Sequence, residues 1–210
     1  MRTDARDIEY MREALELARK GEYSTSPNPA VGCVIVKDDE IIGRGFHHLA
    51  GENHAEIEAI RDAGDRTKMA TAYVTLEPCS HKGRTGPCVE ALISAGISRV
   101  VYACGDPNPK VSGTGHRTLC DAGIDVLSGV CEMEALELNQ GFIKRMAKGQ
   151  PYVRLKMAMS LDGAMAMASG ESKWITGEAA RSDVHRLRAL SCGVMTGIGT
   201  VLADDPLLNV

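Results

Sequence analysis

One imidazole and two thiols, His54, Cys79 and Cys88, stand in this 210-residue sequence with a carboxylate, Glu56, two positions after the imidazole. Three ligands of these types hold a Zn2+ ion with one coordination position left for water. Zinc acidifies such a water towards neutrality, which makes it a nucleophile. Glu56 is the group that can take the proton from that water and hand it to a departing group. Structural zinc is normally closed by four protein ligands, often as paired Cys-x-x-Cys groups, and has no use for an adjacent acid. The set therefore points to hydrolysis at a metal, with His54, Cys79 and Cys88 as ligands and Glu56 as the catalytic residue.

The order His-x-Glu…Pro-Cys…Cys is the signature of zinc-dependent nucleobase deaminases. One feature departs from it. The cysteines are separated by eight residues, Ser80-His81-Lys82-Gly83-Arg84-Thr85-Gly86-Pro87, where the general pattern has two. That basic insertion bears on the substrate. Cys79 falls at the end of a predicted strand, and Cys88 just inside a helix start, where the field of the first turn favours a thiolate. His54 and Glu56 would diverge in mid-helix, but at a first turn both can reach one point on the helix axis. The ion is thus expected between two helix N-termini.

The elements that must position these groups follow from periodicity. Ile8, Met11, Leu15 and Ala18 recur at helical spacing, with Gly21 as the stop. A turn-rich stretch, 24–29, precedes a buried strand at 31–36, a polar turn at 37–40 and a returning strand at 41–46. A helix over 54–63 ends at Gly64, and a strand over 72–76 runs into Glu77-Pro78-Cys79. Pro87 opens a helix over 88–95, proline being favoured at a helix start. Strand 99–103, helix 114–122, strand 124–127 and one continuous helix 132–147 complete the first domain. This alternation implies parallel pairing and a three-layer α/β architecture. The best boundary is Lys148-Gly149-Gln150-Pro151, giving a domain 1–147, a linker 148–151 and a second domain 152–210. In the second, a strand over 152–159, an amphipathic helix over 177–190 and a strand over 191–197 are expected. About sixty residues do not close a doubly wound domain, so this unit reads as cut short.

Composition sets the outer bounds. Hydrophobic residues at 44% and charged residues at 25% describe an ordinary globular protein able to bury a core. A net charge of −4 without a run of like charges argues against nucleic acid as partner, and aromatics at 4% argue against stacking of exposed bases. No stretch approaches the ~18 apolar residues of a membrane span, and the N-terminus lacks a signal-peptide core, so no membrane partner is expected. The seven cysteines are scattered and odd in number, which favours the reducing cytoplasm. Cys33, Cys104, Cys120, Cys131 and Cys192 each lie in or beside an apolar segment and read as core. A homo-oligomer is compatible with the sequence.

Several linked motifs, taken in order, resemble one family. They are Asn28-Pro29-Ala-Val-Gly32, His54-Ala-Glu56-Ile-Glu-Ala59, Thr75-Leu-Glu-Pro-Cys-Ser-His81, Gly83-Arg-Thr85 through Pro87-Cys88, and Asp106-Pro-Asn-Pro109. Residues 8–147 are similar to the deaminase domain of the bifunctional riboflavin-biosynthesis deaminase/reductases, which the eight-residue cysteine gap separates from cytidine and tRNA-adenosine deaminases. Residues 151–210 resemble the start of the same family's reductase domain, through Lys156, Ser160-Leu-Asp-Gly163, Ser172-Lys-Trp-Ile-Thr176 and Gly197-Ile-Gly-Thr-Val-Leu-Ala-Asp-Asp-Pro206. The resemblance implies a cytidine-deaminase-like α/β/α domain with a mixed sheet, followed by the start of a dihydrofolate-reductase-like α/β domain.

It implies as well a small phosphorylated pyrimidine as substrate: a phosphoribosylamino-diaminopyrimidinone whose ring amine becomes a carbonyl with release of ammonia. NADPH would then open the ribose to a ribityl chain. By the same resemblance Asn28 and His47 contact the pyrimidine, and His81, Lys82, Arg84, Asp106 and Asn108 hold the ribose phosphate. Position 82, often aromatic or His in the family, is Lys here, which leaves Arg84 the firmer phosphate ligand. Ala158, Trp174, Thr200 and Asp204 match NADPH-contacting positions, while Ser172, Arg188 and Leu208 match substrate-contacting ones in the reductase. The family's glycine-rich cofactor loop has no counterpart in these 210 residues, so the chain is expected to deaminate but not to reduce.

Plainer readings compete with some of these assignments. His47 could cap the hairpin, Lys82 and Arg84 could be a solvated loop, Asp106–Pro109 ordinary turn chemistry, and Trp174 core. The rival functions are a deaminase of a free or tRNA nucleobase, and a catalytically silent zinc-binding module. Glu56 discriminates against the second, because a silent module does not need it.

Overall fold

A capping box starts the first element. The Asp4 side chain accepts from the Arg6 amide, the Asp7 carboxylate accepts from the Asp4 amide, and α1 runs Ala5–Arg19. In the computed structural model, which describes residues 4–81, 86–108 and 112–210, α1 buries Met11, Ala14, Leu15 and Ala18 on one stripe. That stripe covers β1 (Gly32–Lys37) so closely that a Cβ on Gly32 would lie 1.9 Å from the Ala14 carbonyl oxygen. β2 (Glu40–Phe46) returns antiparallel to β1, with a bulge between Ile35 and Val36. Next come α2 (Ala55–Ala63), β3 (Thr71–Leu76), α3 (Cys88–Ser94), β4 (Arg99–Cys104), α4 (Thr114–Asp121), β5 (Asp125–Ser128), α5 (Glu132–Leu138) and α6 (Gln140–Lys148).

The strand order is β2-β1-β3-β4-β5. β1 pairs antiparallel with both β2 and β3, whereas β3–β4 and β4–β5 are parallel, so the sheet is mixed. Because side chains alternate across a strand, the inner strands feed two apolar layers. Cys33, Ile35, Ala72, Val74 and Val100 join Ala55, Ala59, Val89, Leu92 and Leu119 of α2, α3 and α4. Val34, Val36, Tyr73, Val101 and Ala103 join Met11, Ala14 and Leu15 of α1 and Ala135 of α5. This is the expected three-layer α/β/α arrangement. A polar cluster pins it: the Asp7 carboxylate, buried under α1, accepts from Tyr73 (2.9 Å) and from both terminal nitrogens of Arg99 (2.8 and 3.0 Å).

Two expectations for this part are corrected. The helix expected over 132–147 is two helices, broken at Asn139, whose backbone leaves the helical region (φ −114°, ψ 28°). Its side chain pairs with both backbone groups of Ala30, accepting from the amide (2.8 Å) and donating to the carbonyl (2.9 Å). Of the five thiols assigned to the core, Cys33 and Cys104 are buried, Cys131 is half-buried, and Cys120 and Cys192 are exposed, Cys120 on the outer side of α4 and Cys192 in a segment that has no buried residue.

The chain divides into two units, Met1–Tyr152 and Val153–Val210. The second contains α7 (Glu178–Ala189) and α8 (Ile198–Asp204), neither of which has a buried residue. The strands expected at 152–159 and 191–197 do not form, and no strand occurs among its residues. A helix closes its hydrogen bonds within itself, but a strand requires a neighbour, and neither apolar segment has a ladder partner in this chain. Among the described residues no helix is long and apolar enough to cross a membrane.

Candidate active site

The three metal-ligand candidates meet at the ends of regular elements. His54 is the N-cap of α2, in extended conformation, with its ring not engaged in capping. Cys79 follows β3 by way of Glu77-Pro78, and Cys88 is the first residue of α3 behind Pro87. The His54 Nδ1 lies 3.1 Å from the Cys88 Sγ and 3.5 Å from the Cys79 Sγ, and the three donor atoms fall within 4.8 Å of one another. The Cys88 amide points at the Cys79 sulfur (3.5 Å), as the open N–H groups of a helix start do. An imidazole and two thiols at this separation fit zinc, and they leave a tetrahedral position unclaimed by protein.

The electrostatics make Cys79, rather than the helix-start Cys88, the favoured thiolate. Cys79 is held down to about 4, first by the thiol of Cys88, with His54 and the Cys88 amide adding to it against burial. The same contact, with burial, pushes Cys88 well above the ordinary thiol range, so the pair divides one proton between them. Hydrogen bonding to Cys79 raises His54 against burial. Glu56 sits in the first turn of α2, only 4% exposed, its carboxyl raised by burial and by the Cys79 thiolate. A carboxyl so raised is suited to carrying a proton in both directions.

A cavity of about 450 Å3 opens over this cluster, lined among others by Asn28, His47, His54, Glu56, Cys79, His81, Asp106 and Asn108. Every deaminase-site residue expected from the sequence within the described part, Cys88 apart, therefore lines one space. Lys82 and Arg84 lie outside the described residues. The buried His47 ring has both nitrogens engaged: Nδ1 meets the Asn53 carbonyl at 2.9 Å, and Nε2 meets the Asn28 amide nitrogen at 3.1 Å. A carbonyl can only accept, so Nδ1 carries the proton, and burial, which lowers this imidazole, keeps Nε2 an acceptor. Asn28 consequently turns its NH2 to His47 and keeps its carbonyl for a ligand. Asp106 accepts from the Asn108 amide (2.8 Å), and burial first, then the Glu77 carboxylate, raise it to about 6 against that bond. The His81 Nδ1 is buried without a partner among the described residues, which is how a ligand-seeking group looks.

Reading the sequence missed other groups at this site. Phe142, Arg145 and Met146 of α6 line the cavity, and Arg145 reaches the Pro27 carbonyl at 2.8 Å. Asn53 fixes the His47 tautomer, Asn139 holds the segment that carries Asn28, and Glu77 lines the cavity beside Cys79. Asn139 interrupts an otherwise helical stripe, and Glu77 is a lone carboxylate at a strand end. Those are the only local signals, and nothing marks Asn53.

In the second unit Ala158 is half-buried, Ser172 and Trp174 lie in a loop, Arg188 in the last turn of α7, Thr200 and Asp204 on α8, and Leu208 beyond it. Trp174, 71% exposed and so not core, stacks on the Arg181 guanidinium (4.5 Å), and Arg188 donates to the Asn209 carbonyl (3.2 Å).

Comparison with known proteins places both units. The profile described as the cytidine and deoxycytidylate deaminase zinc-binding region matches residues 4–104, and that of the RibD C-terminal domain matches 151–210. The riboflavin biosynthesis protein RibD of Escherichia coli K12 is 59% identical over 204 residues, 97% of this chain and 56% of its own length. The chain belongs to the RibD family. Among solved structures, Acinetobacter baumannii RibD (form 2) is 61% identical with a TM-score of 0.90, over 97% of this chain and 57% of that one. A Thermotoga maritima structure described as a diaminohydroxyphosphoribosylaminopyrimidine deaminase/5-amino-6-(5-phosphoribosylamino)uracil reductase is 45% identical with a TM-score of 0.90, over 95% and 58%. The chain spans about half the length of the curated relatives it matches.

Proposed function

We propose that the first unit catalyses a step of riboflavin biosynthesis, the zinc-dependent hydrolytic deamination of 2,5-diamino-6-(5-phosphoribosylamino)pyrimidin-4-one to 5-amino-6-(5-phosphoribosylamino)uracil and ammonia. One observation carries this reading: a two-thiol, one-imidazole donor set and a buried Glu56 open into the same cavity as Asn28, His47, His81, Asp106 and Asn108. His54, Cys79 and Cys88 would hold the ion, which when bound supplies the Lewis acidity that makes water a nucleophile at neutral pH. Glu56 accepts the proton that water loses on attacking the amine-bearing ring carbon, and delivers it to the ring nitrogen. It then carries the second proton to the amine, which leaves as ammonia as the carbonyl forms. Asn28, oriented by His47, accepts from a ring donor and fixes which carbon faces Glu56.

His81, Asn108, Lys82 and Arg84 take the ribose-phosphate end, and Asp106, a carboxylate unsuited to a phosphate, takes its hydroxyls. The domain limits 1–147 and 152–210 with a linker at 148–151 belong to the same proposal. In the longer relatives' second activity, Ala158, Trp174, Thr200 and Asp204 would contribute to NADPH, and Ser172, Arg188 and Leu208 to the substrate. Trp174, Thr200 and Asp204 are all exposed here, an arrangement that does not enclose a dinucleotide. The test is incubation of the zinc-loaded chain with the phosphoribosyl pyrimidine and, separately, with cytidine, followed by mass analysis. Conversion of amine to carbonyl in the first alone is expected; conversion of cytidine alone would replace this reading with that of a free-nucleoside deaminase.

A further inference from the structure

Glu77 is a charged side chain at the end of β3, only 4% exposed, to which the deamination chemistry assigns no task. Among the described residues its carboxylate accepts from three backbone amides and no side chain: Oε2 from Gly113 (3.0 Å) and Asp106 (3.4 Å), Oε1 from His116 (3.1 Å). All three lie on the segment that leaves β4, carries Asp106 and Asn108, and enters α4. None belongs to a sheet ladder; that work is done by the Glu77 backbone, whose amide donates to the Cys104 carbonyl (2.9 Å). The segment also comes very close to the metal loop, since a Cβ on Gly115 would lie 2.0 Å from the Pro78 carbonyl oxygen. Glu77 is next to Pro78-Cys79 in sequence, so one residue joins the ligand loop to the ribose-phosphate wall. Only a carboxylate meets this demand, because all three partners donate. Glutamine would offer one acceptor and turn its NH2 against an N–H.

We infer that Glu77 is a positioning residue for substrate recognition. Its carboxylate sets the distance between the metal cluster and the wall bearing Asp106 and Asn108, and through it the fit of the substrate's ribose-phosphate end. This rests on the deaminase reading above. Glu77→Gln should raise KM for the phosphoribosyl pyrimidine by about tenfold, because the displaced wall fits the ribose-phosphate end less well, and leave kcat and zinc content close to those of the parent. Amide hydrogen exchange should quicken at Asp106, Gly113 and His116 and stay unchanged in α2. An unchanged KM, unchanged exchange at those amides, or a fall in kcat with zinc loss at constant KM would each overturn the inference. Should the glutamine variant fail to fold, Glu77→Asp, which keeps the charge but withdraws it by one methylene, is read by the same measurements. The exchange experiment needs no substrate. If the parent chain deaminates nothing, the proposed function fails while the anchoring by Glu77 is still decided.

Discussion

The metal side and the proposed recognition side of the cavity are built in different ways. His54, Cys79 and Cys88 sit at the ends of α2, β3 and α3, elements locked into the apolar layer that also holds Ala55, Val74 and Val89. Asn28, His47, Asp106 and Asn108 sit on irregular segments, held by single polar contacts: Asn139 to Ala30, Asn53 to His47, Glu77 to Asp106 and Gly113. Core packing fixes where the chemistry happens, and discrete hydrogen bonds fix what is presented to it. The two should therefore fail separately.

The largest effect belongs to the metal side. Glu56→Gln should reduce kcat by about 10³-fold or more, because the proposed mechanism routes both proton transfers through this carboxylate, while KM and bound zinc change little. A variant that kept most of its activity would erase the proposed division, since Glu56 would then be structural. On the recognition side Asn139→Ala leaves the buried amide and carbonyl of Ala30 unpaired, at a cost of about 1–3 kcal/mol. Its urea midpoint should fall by that equivalent and its KM should rise, with zinc affinity unaltered. Zinc loss at native stability would mean that the two sides are coupled.

The smallest effect concerns the scaffold that both share. Burial raises the Asp7 carboxyl, but Arg99, the Asp4 amide and Tyr73 outweigh it and hold it below its ordinary value of 3.8. A group with a depressed folded-state value adds stability that is present above its unfolded value and is lost as pH falls through the folded one. Asp7→Asn should therefore lower stability at neutral pH and flatten its decline below about pH 4, measured by denaturant unfolding across pH. A decline as steep as that of the parent would assign the acid sensitivity elsewhere.

How much of this the sequence discloses depends on the range of the interaction. The zinc triad and Glu56 are legible because residue type and spacing carry the chemistry. Helices α1, α2, α3 and α7 are legible because their stripes are local. The break at Asn139 is not, since its cause is a partner 109 residues away. Nor is the role of Glu77, whose partners lie 29 to 39 positions downstream. The alternating segment at 152–159 and the segment at 191–197 have the pattern of strands, and pattern alone supplies no neighbour to pair with. Cys120 shows the same limit, since an apolar setting in sequence does not say which side of the segment faces inward, and Cys192 lies in a segment that buries no residue at all.

In the proposed mechanism the cluster of His54, Cys79 and Cys88 is the catalytic centre and works through bound zinc. Chelator-stripped protein titrated with Zn2+ while ammonia release from the phosphoribosyl pyrimidine is followed tests it most directly. Activity should rise in proportion to added metal and level off at one ion per chain, as the single three-donor cluster among the described residues requires, with Cys88→Ala staying inactive throughout. Full activity in the stripped protein, or recovery of the Cys88→Ala chain on adding zinc, would contradict it.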